Sequence, residues 1–217
     1  MKLRLQHLLS LLIISIIFSC SDKEPIEDAA YQNYFAVTEY SIPENLSSRP
    51  STSADYCFTV DLIAGQNMYA GTVTISKTET DLILTYNTYG AWTIGTTHVS
   101  IGDCNEEWVP LTGSGNPKIG KFGHTEPHSE NINRVVYEIS LDVLPDYTDL
   151  YCFAAHAEVE GPNGEETAWA GGDNGGIGGI GRSATSTNSQ YGYTVKEFEG
   201  RSWATYIEAY QWACGIW

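Results

Sequence analysis

The chain has 217 residues, 27 acidic against 11 basic side chains, a net charge of −16, and a hydrophobic share of 42%. That length supports one well-cored domain, or two only if both are small. So acidic a surface repels phosphate backbones and anionic lipid headgroups, which argues against nucleic acid and against membrane binding by charge, and is compatible with cation binding.

The N-terminus carries Lys2 and Arg4, an apolar run from Leu8 to Phe18, and then Cys20 behind Ile-Phe-Ser. As a helix the run would rise about 16 Å, roughly half the hydrocarbon core of a bilayer, so it reads as a transient export signal. Ile17-Phe18-Ser19-Cys20 resembles a bacterial lipobox, with Phe18 bulkier than the pattern's usual residue. The resemblance implies cleavage after residue 19, acylation of Cys20 and, with Ser21 next, export to the outer membrane. Asp22-Lys23-Glu24 is similar to the short acidic tether of Bacteroidota-type surface lipoproteins, which implies exposure at the cell surface with the lipid as the only membrane attachment. The alternative for those charges is a plain solvated linker. Cleavage would remove two basic residues and no acid, moving the net charge from −16 to −18.

Residues 20–55 are polar and rich in Pro and Ser and read as a tether, with Tyr31 to Tyr40 able to supply an edge strand. Period-two alternation then runs through residues 56–217. Tyr56, Phe58, Val60 and Leu62 share one predicted face; Val73 and Ile75 another; Leu82, Leu84 and Tyr86 a third. Between Ala91 and Gly102 the phase reverses, from Trp92 and Ile94 to Thr97, Val99 and Ile101, which predicts a bulge near Gly95. Val135, Tyr137, Ile139 and Leu141 alternate next, then Phe153, Ala155, Ala157 and Val159, where small alanines predict close packing against a bulky residue such as a tryptophan. Glu166 to Ala170 reads as a strand, Gly171 to Gly181 as a loop, and Tyr191 to Trp212 as a final strand or pair with Tyr206, Tyr210 and Trp212 in register. About seven to nine short strands without a helical stripe predict a single all-β domain, an antiparallel sandwich of Ig-like or jelly-roll-like type, or a barrel.

Setting Cys20 aside for the lipid, Cys57, Cys104, Cys152 and Cys214 remain, an even number that in an exported chain predicts two disulfides of open connectivity. Buried free thiols are the alternative. No CxxC spacing supports a structural zinc site.

Strand parity puts His156 and Glu158 on one face, opposite Phe153, and His98 opposite Val99. If the two strands adjoined, these three would form a candidate site for a divalent metal such as zinc or copper; solvated or hydrogen-bonded histidines are the alternative. His124 and His128, with Glu126 and Glu130, make a looser cluster in a presumed loop. The acidic pairs Glu106-Glu107 and Glu165-Glu166 point to opposite faces of a strand, so neither alone is a glycosidase dyad; Glu166 with Asp142 would be one from separate elements. Asp103, Asp173 and Asn174 are loop acids and an amide that could hold calcium, without EF-hand spacing. No Gly-x-Ser-x-Gly, His-Glu-x-x-His or reactive Cys/His pattern occurs. Fourteen tyrosines and six tryptophans are the positive binding cue, and Trp108, Trp169 and Trp203, beside polar residues, are the candidates for exposed ligand-binding rings.

The order GTVTIS, LILTY, THVSIG, GNPKIGKF, YEISL, FAAHAEV, ETAWAGG and WATY, from Gly71 to Tyr206, resembles a domain of exported Bacteroidota proteins without an assigned activity. It implies a secreted β domain that includes His98 and His156, and the Gly-rich segment after Ala170 departs from the pattern. The leading expectation is a surface lipoprotein that binds a glycan or another protein. A carbohydrate-active or metal-dependent hydrolase and a structural component of a surface or fimbria-like assembly are the alternatives.

Overall fold

The computed structural model describes residues 35–41, 55–146, 148–172, 187–188 and 192–214. The expected signal, Cys20, most of the tether and all but the start of the Gly-rich loop lie outside the described residues. Twelve strands follow in order: β1 (Phe35–Tyr40), β2 (Asp55–Ala64), β3 (Met68–Lys77), β4 (Asp81–Thr88), β5 (Thr93–Asp103), β6 (His124–Ile132), β7 (Arg134–Ser140), β8 (Leu150–Gly161), β9 (Gly164–Gly172), β10 (Thr187–Asn188), β11 (Tyr193–Glu197) and β12 (Thr205–Tyr210). The helical segments among the described residues are short 3₁₀ turns.

All pairing is antiparallel, and it runs through one sheet rather than two. Its path is β1-β7-β4-β3-β2-β9-β8, with β5 and then β6 continuing from the far edge of β8. The near edge of β8 is shared: Leu150 to Phe153 pair with β12, and His156 to Gly161 with β9. β12, β11 and β10 therefore branch off as a flap. The two ends of the path, β1 and β6, meet through side chains: Phe35 stacks on His124, and Glu39 Oε1 lies 2.8 Å from His128 Nδ1. The sheet is thus a nearly closed barrel, and it has more strands than the seven to nine that turn spacing predicts, because β1, the two-residue β10 and β6, which the sequence reads as a loop, add to the count.

The predicted alternation fills the barrel. Val60, Leu62, Val73, Ile75, Leu84, Tyr86, Val99, Tyr137 and Ile139 are fully buried within one cluster. The predicted phase reversal is real: the β5 register slips between Ile94 and Thr96, on both neighbours. A second slip, between Tyr56 and Phe58 in β2, went unread, and it turns Tyr56 outward to 56% exposure. Ala155 and Ala157 flank His156, whose carbonyl accepts from Tyr86 Oη at 3.3 Å, so the bulky side chain over these alanines is a tyrosine rather than a tryptophan. A tryptophan finds its small neighbour one turn on, where the Trp92 ring lies so near Gly161 that a Cβ there would be 2.3 Å from it.

Two disulfides are formed. Cys57 joins Cys214, tying the C-terminal 3₁₀ turn to β2, and Cys104 joins Cys152, pinning the segment after β5 onto β8.

Candidate functional site

β5 separates two polar clusters, because Thr97 points into the barrel and its neighbour His98 points out. Outside, β5 pairs with β8 so that His98 and His156 are directly opposite, with ring centroids 5.2 Å apart. The adjacency that sequence left open is therefore present. Glu158, the third predicted ligand, lies two residues along β8 and is exposed. Among the described residues no group of three or more His, Cys, Asp or Glu side chains is placed to hold a metal ion.

The histidine pair is roofed. His156 is 1% exposed and His98 6%. Trp169 of β9, the register partner of His156, sets its ring edge-on at 4.7 Å, and Phe122, Phe198 and Ala204 pack around it with Trp108, Trp203 and Tyr206. The roof comes from residues 104–123 and 198–204. Gly102 lets Trp108 approach β5 closely, since a Cβ at Gly102 would come within 2.8 Å of the Trp108 Cβ, and Ser100 Oγ donates to the Trp108 carbonyl at 2.7 Å. Ser202 N donates to Asn116 Oδ1 at 2.9 Å, which ties the two roof segments together. The three tryptophans expected to be exposed are thus used here: Trp169 is 4% exposed, and Trp108 and Trp203 are half-buried against it. Polar sequence neighbours misled, because the polar residues face water while the rings turn inward.

His98 Nδ1 lies 3.0 Å from Thr125 Oγ1, whereas His98 Nε2 and both ring nitrogens of His156 are buried without a hydrogen-bond partner. Burial, with His98 alongside, pushes His156 down to about 3, and burial lowers His98 while Glu158 pulls it back. Both rings are therefore neutral at ordinary pH.

Inside, the polarity is handled differently. Glu39 Oε1 accepts from His128 Nδ1 at 2.8 Å, His128 Nε2 lies 2.6 Å from Thr97 Oγ1, and Thr97 Oγ1 lies 2.5 Å from Tyr137 Oη. Sequence placed His124 and His128 in an exposed loop. In fact they are on β6, and His128 meets a carboxylate 89 positions away that no local spacing reveals. Carboxylate, imidazole and hydroxyl in this order are what nucleophilic hydrolases use. Thr97, however, is fully buried and spent on Tyr137, so no acyl group reaches it, and the chain acts as a barrel seam. The hardening of this seam holds Glu39 below its ordinary 4.5, chiefly through the His128 hydrogen bond.

A third cluster lies on the open outer wall. Tyr40, Arg134, Asn87, Thr72 and Asp61 are successive register partners across β1, β7, β4, β3 and β2. Their side chains share the outward face. Tyr89 joins the row through a 3.3 Å contact from its hydroxyl to Thr72 Oγ1, and Tyr69 lies 6.1 Å from Tyr89 with the rings nearly parallel. These three tyrosines are 46–51% exposed. The Arg134 guanidinium sits 5.4 Å over the Tyr40 ring, and its Nε is buried without a hydrogen-bond partner. Tyr69 is pushed up to about 12 by burial, then by Tyr89 and Asp61.

The remaining candidates do not assemble. Glu166 lies against the β2–β3 turn at Gly65, while Asp142 follows β7 beside Thr80 at the β3–β4 turn, the opposite end of the barrel. Asp103 accepts from the backbone and side-chain amides of Asn105 and so closes its own turn. Asp173 and Asn174 lie outside the described residues. Comparison of the chain with protein-family models, with curated proteins and with solved structures finds no match.

Proposed function

We propose that the protein is a surface-exposed lipoprotein, anchored in the outer membrane by lipid on Cys20, whose barrel-like domain binds a glycan through the row Tyr40–Arg134–Asn87–Thr72–Asp61 with Tyr89 and Tyr69. The observation that supports this most is the gathering on one outward wall of three exposed rings, Tyr40, Tyr69 and Tyr89, with the hydrogen-bonding side chains of Arg134, Asn87, Thr72 and Asp61. Aromatic faces stack on the C–H faces of sugars, while Arg, Asn and Asp take hydroxyl groups with fixed geometry. A protein partner is less well served, because interface cores are apolar and depleted of charge, and here Arg134 and Asp61 both lie within the row.

We also infer that the barrel is flattened, so that opposing walls stack as the two layers of a sandwich. Tyr86 of β4 supports this by spanning the interior to the carbonyls of His98 and His156 on the far wall.

The test is a glycan array probed with the purified full chain in detergent. Tyr89→Ala and Arg134→Ala should each weaken the hits by tenfold or more, whereas Trp203→Ala should leave them. Hits unaffected by Tyr89→Ala, or no hits at all, would overturn the glycan reading. Fatty-acid labelling abolished by Cys20→Ala tests the anchor separately.

A further inference from the structure

We propose that His98 and His156 form a two-coordinate site for a monovalent, soft d¹⁰ cation, copper(I) in chemical class, held between two imidazole nitrogens beneath the Trp169 roof. Four observations converge on it. The two rings occupy paired register positions on adjacent strands, so the backbone ladder fixes their separation. Metal–nitrogen bonds of about 2.0 Å put two linearly bridged imidazole centroids roughly 6 Å apart. The 5.2 Å found here is about 1 Å short of that, so a linear bridge requires the two side chains to rotate apart on binding.

Secondly, three of the four ring nitrogens are buried without a hydrogen-bond partner. Buried polar groups are nearly always satisfied, and each exception calls for a water, an ion or a function. His156 carries two such atoms at 1% exposure, the least comfortable side chain among the described residues.

Thirdly, the second shell is already set for ligation. A metal-bound histidine donates its other ring N–H to a neighbour, which fixes the tautomer. His98 Nδ1 lies 3.0 Å from Thr125 Oγ1, and the tautomer in which Nδ1–H donates to that hydroxyl leaves the Nε2 lone pair free to bind.

Fourthly, the surroundings choose the charge. With no third ligand gathered among the described residues, they do not offer the three- and four-coordinate protein-ligand sets of zinc. An apolar roof of Trp169, Phe122 and Phe198 penalises a divalent ion far more than a monovalent one, because desolvation rises steeply with charge. Imidazole suits copper, and two neutral nitrogens in line are a coordination that monovalent d¹⁰ ions accept. Glu158, exposed two residues along the same face of β8, places a negative charge beside the roof where a cation enters.

The probes are silver(I), as a redox-inert surrogate, and copper(I) under anaerobic reduction, titrated into the full chain in detergent. One equivalent of either should bind, quench tryptophan fluorescence through Trp169, and give the X-ray absorption edge of two-coordinate copper with nitrogen neighbours. His156→Phe and His98→Phe should each reduce affinity at least a hundredfold while retaining the native melting transition, which separates loss of the site from loss of the fold. Binding that survives both substitutions, an edge with sulfur neighbours, or zinc(II) bound more tightly than silver(I) would overturn the assignment. So would the absence of binding to the folded chain.

Discussion

His128 and His156 sit on opposite sides of the same strand wall, and they show two ways of burying an imidazole. His128 spends both nitrogens, one on Glu39 and one on Thr97, and the chain ends on Tyr137. His156 spends neither, with its edge against Trp169. Thr97 and His98 are consecutive on β5, so a one-residue change of face separates a saturated network from an unsaturated one. The difference distinguishes a structural polar cluster from a binding one. Closing the barrel between β1 and β6 needs a complete hydrogen-bond chain, whereas a ligand pocket needs incomplete ones.

The largest way to disturb this contrast is to lift the roof. Cys104 opens the roof segment and Cys152 holds it to β8, a closure over 48 positions. Chain entropy puts its removal at about 4 kcal/mol. The double substitution Cys104→Ser, Cys152→Ser should therefore lower the melting temperature on the order of 10 °C. It should also let water reach His156, raising its titration from about 3 toward the ordinary 6.5, as followed by NMR of the ring. A titration still near 3 would mean that strand packing, not the roof, keeps that ring neutral.

Next come the two histidines compared directly. His128→Ala leaves Glu39 and Thr97 facing a hole, and the lost charge-assisted bond plus an unmet buried hydroxyl should cost about 3 kcal/mol by denaturant unfolding. His156→Phe removes two unmet nitrogens and keeps the ring's shape, so stability should be unchanged or rise by up to about 1 kcal/mol. Equal losses in the two variants would erase the distinction between them.

The part of this arrangement legible in sequence is the part that strand periodicity controls. Parity put His98 and His156 outside and Thr97 inside, and it found the Gly95 reversal that makes this so. The even cysteine count, separately, predicted the two disulfides, though not which cysteines pair. Register between distant strands was invisible, and that is what seats Glu39 on His128 and lines Tyr40 up with Arg134. Trp169 shows a further limit: ETAWA alternates correctly, but only the tertiary roof decides that its outward face is dry. The tyrosine row, by contrast, is marked in the sequence, since Tyr69 and Tyr89 flank the predicted strands, and both rings stay exposed.

The finest discrimination comes from acid. For His156 the folded pKa, about 3, is below the unfolded 6.5, so the unfolded chain binds the proton first. Its contribution is complete above pH 6.5 and is lost as pH falls toward 3, at up to about 1.4 kcal/mol per pH unit. His124, pushed down to about 4 by burial, acts in the same direction. His156→Phe should therefore diverge from the unsubstituted protein as acid is added, with a shallower loss of stability. Glu39 behaves oppositely under substitution. Its carboxyl is held below 4.5, so its stabilisation is present above pH 4.5 and disappears as pH falls through the lowered folded value. Glu39→Gln keeps an acceptor for His128 but not the charge, which should cost about 0.5–1 kcal/mol at pH 7. That deficit should vanish in acid, where the carboxylate is protonated too. Urea midpoints from pH 7 to pH 3 would thus show one variant converging on the parent and the other parting from it. Parallel curves for both would remove the charge-assisted bond from the seam and the neutral imidazole from beneath the roof.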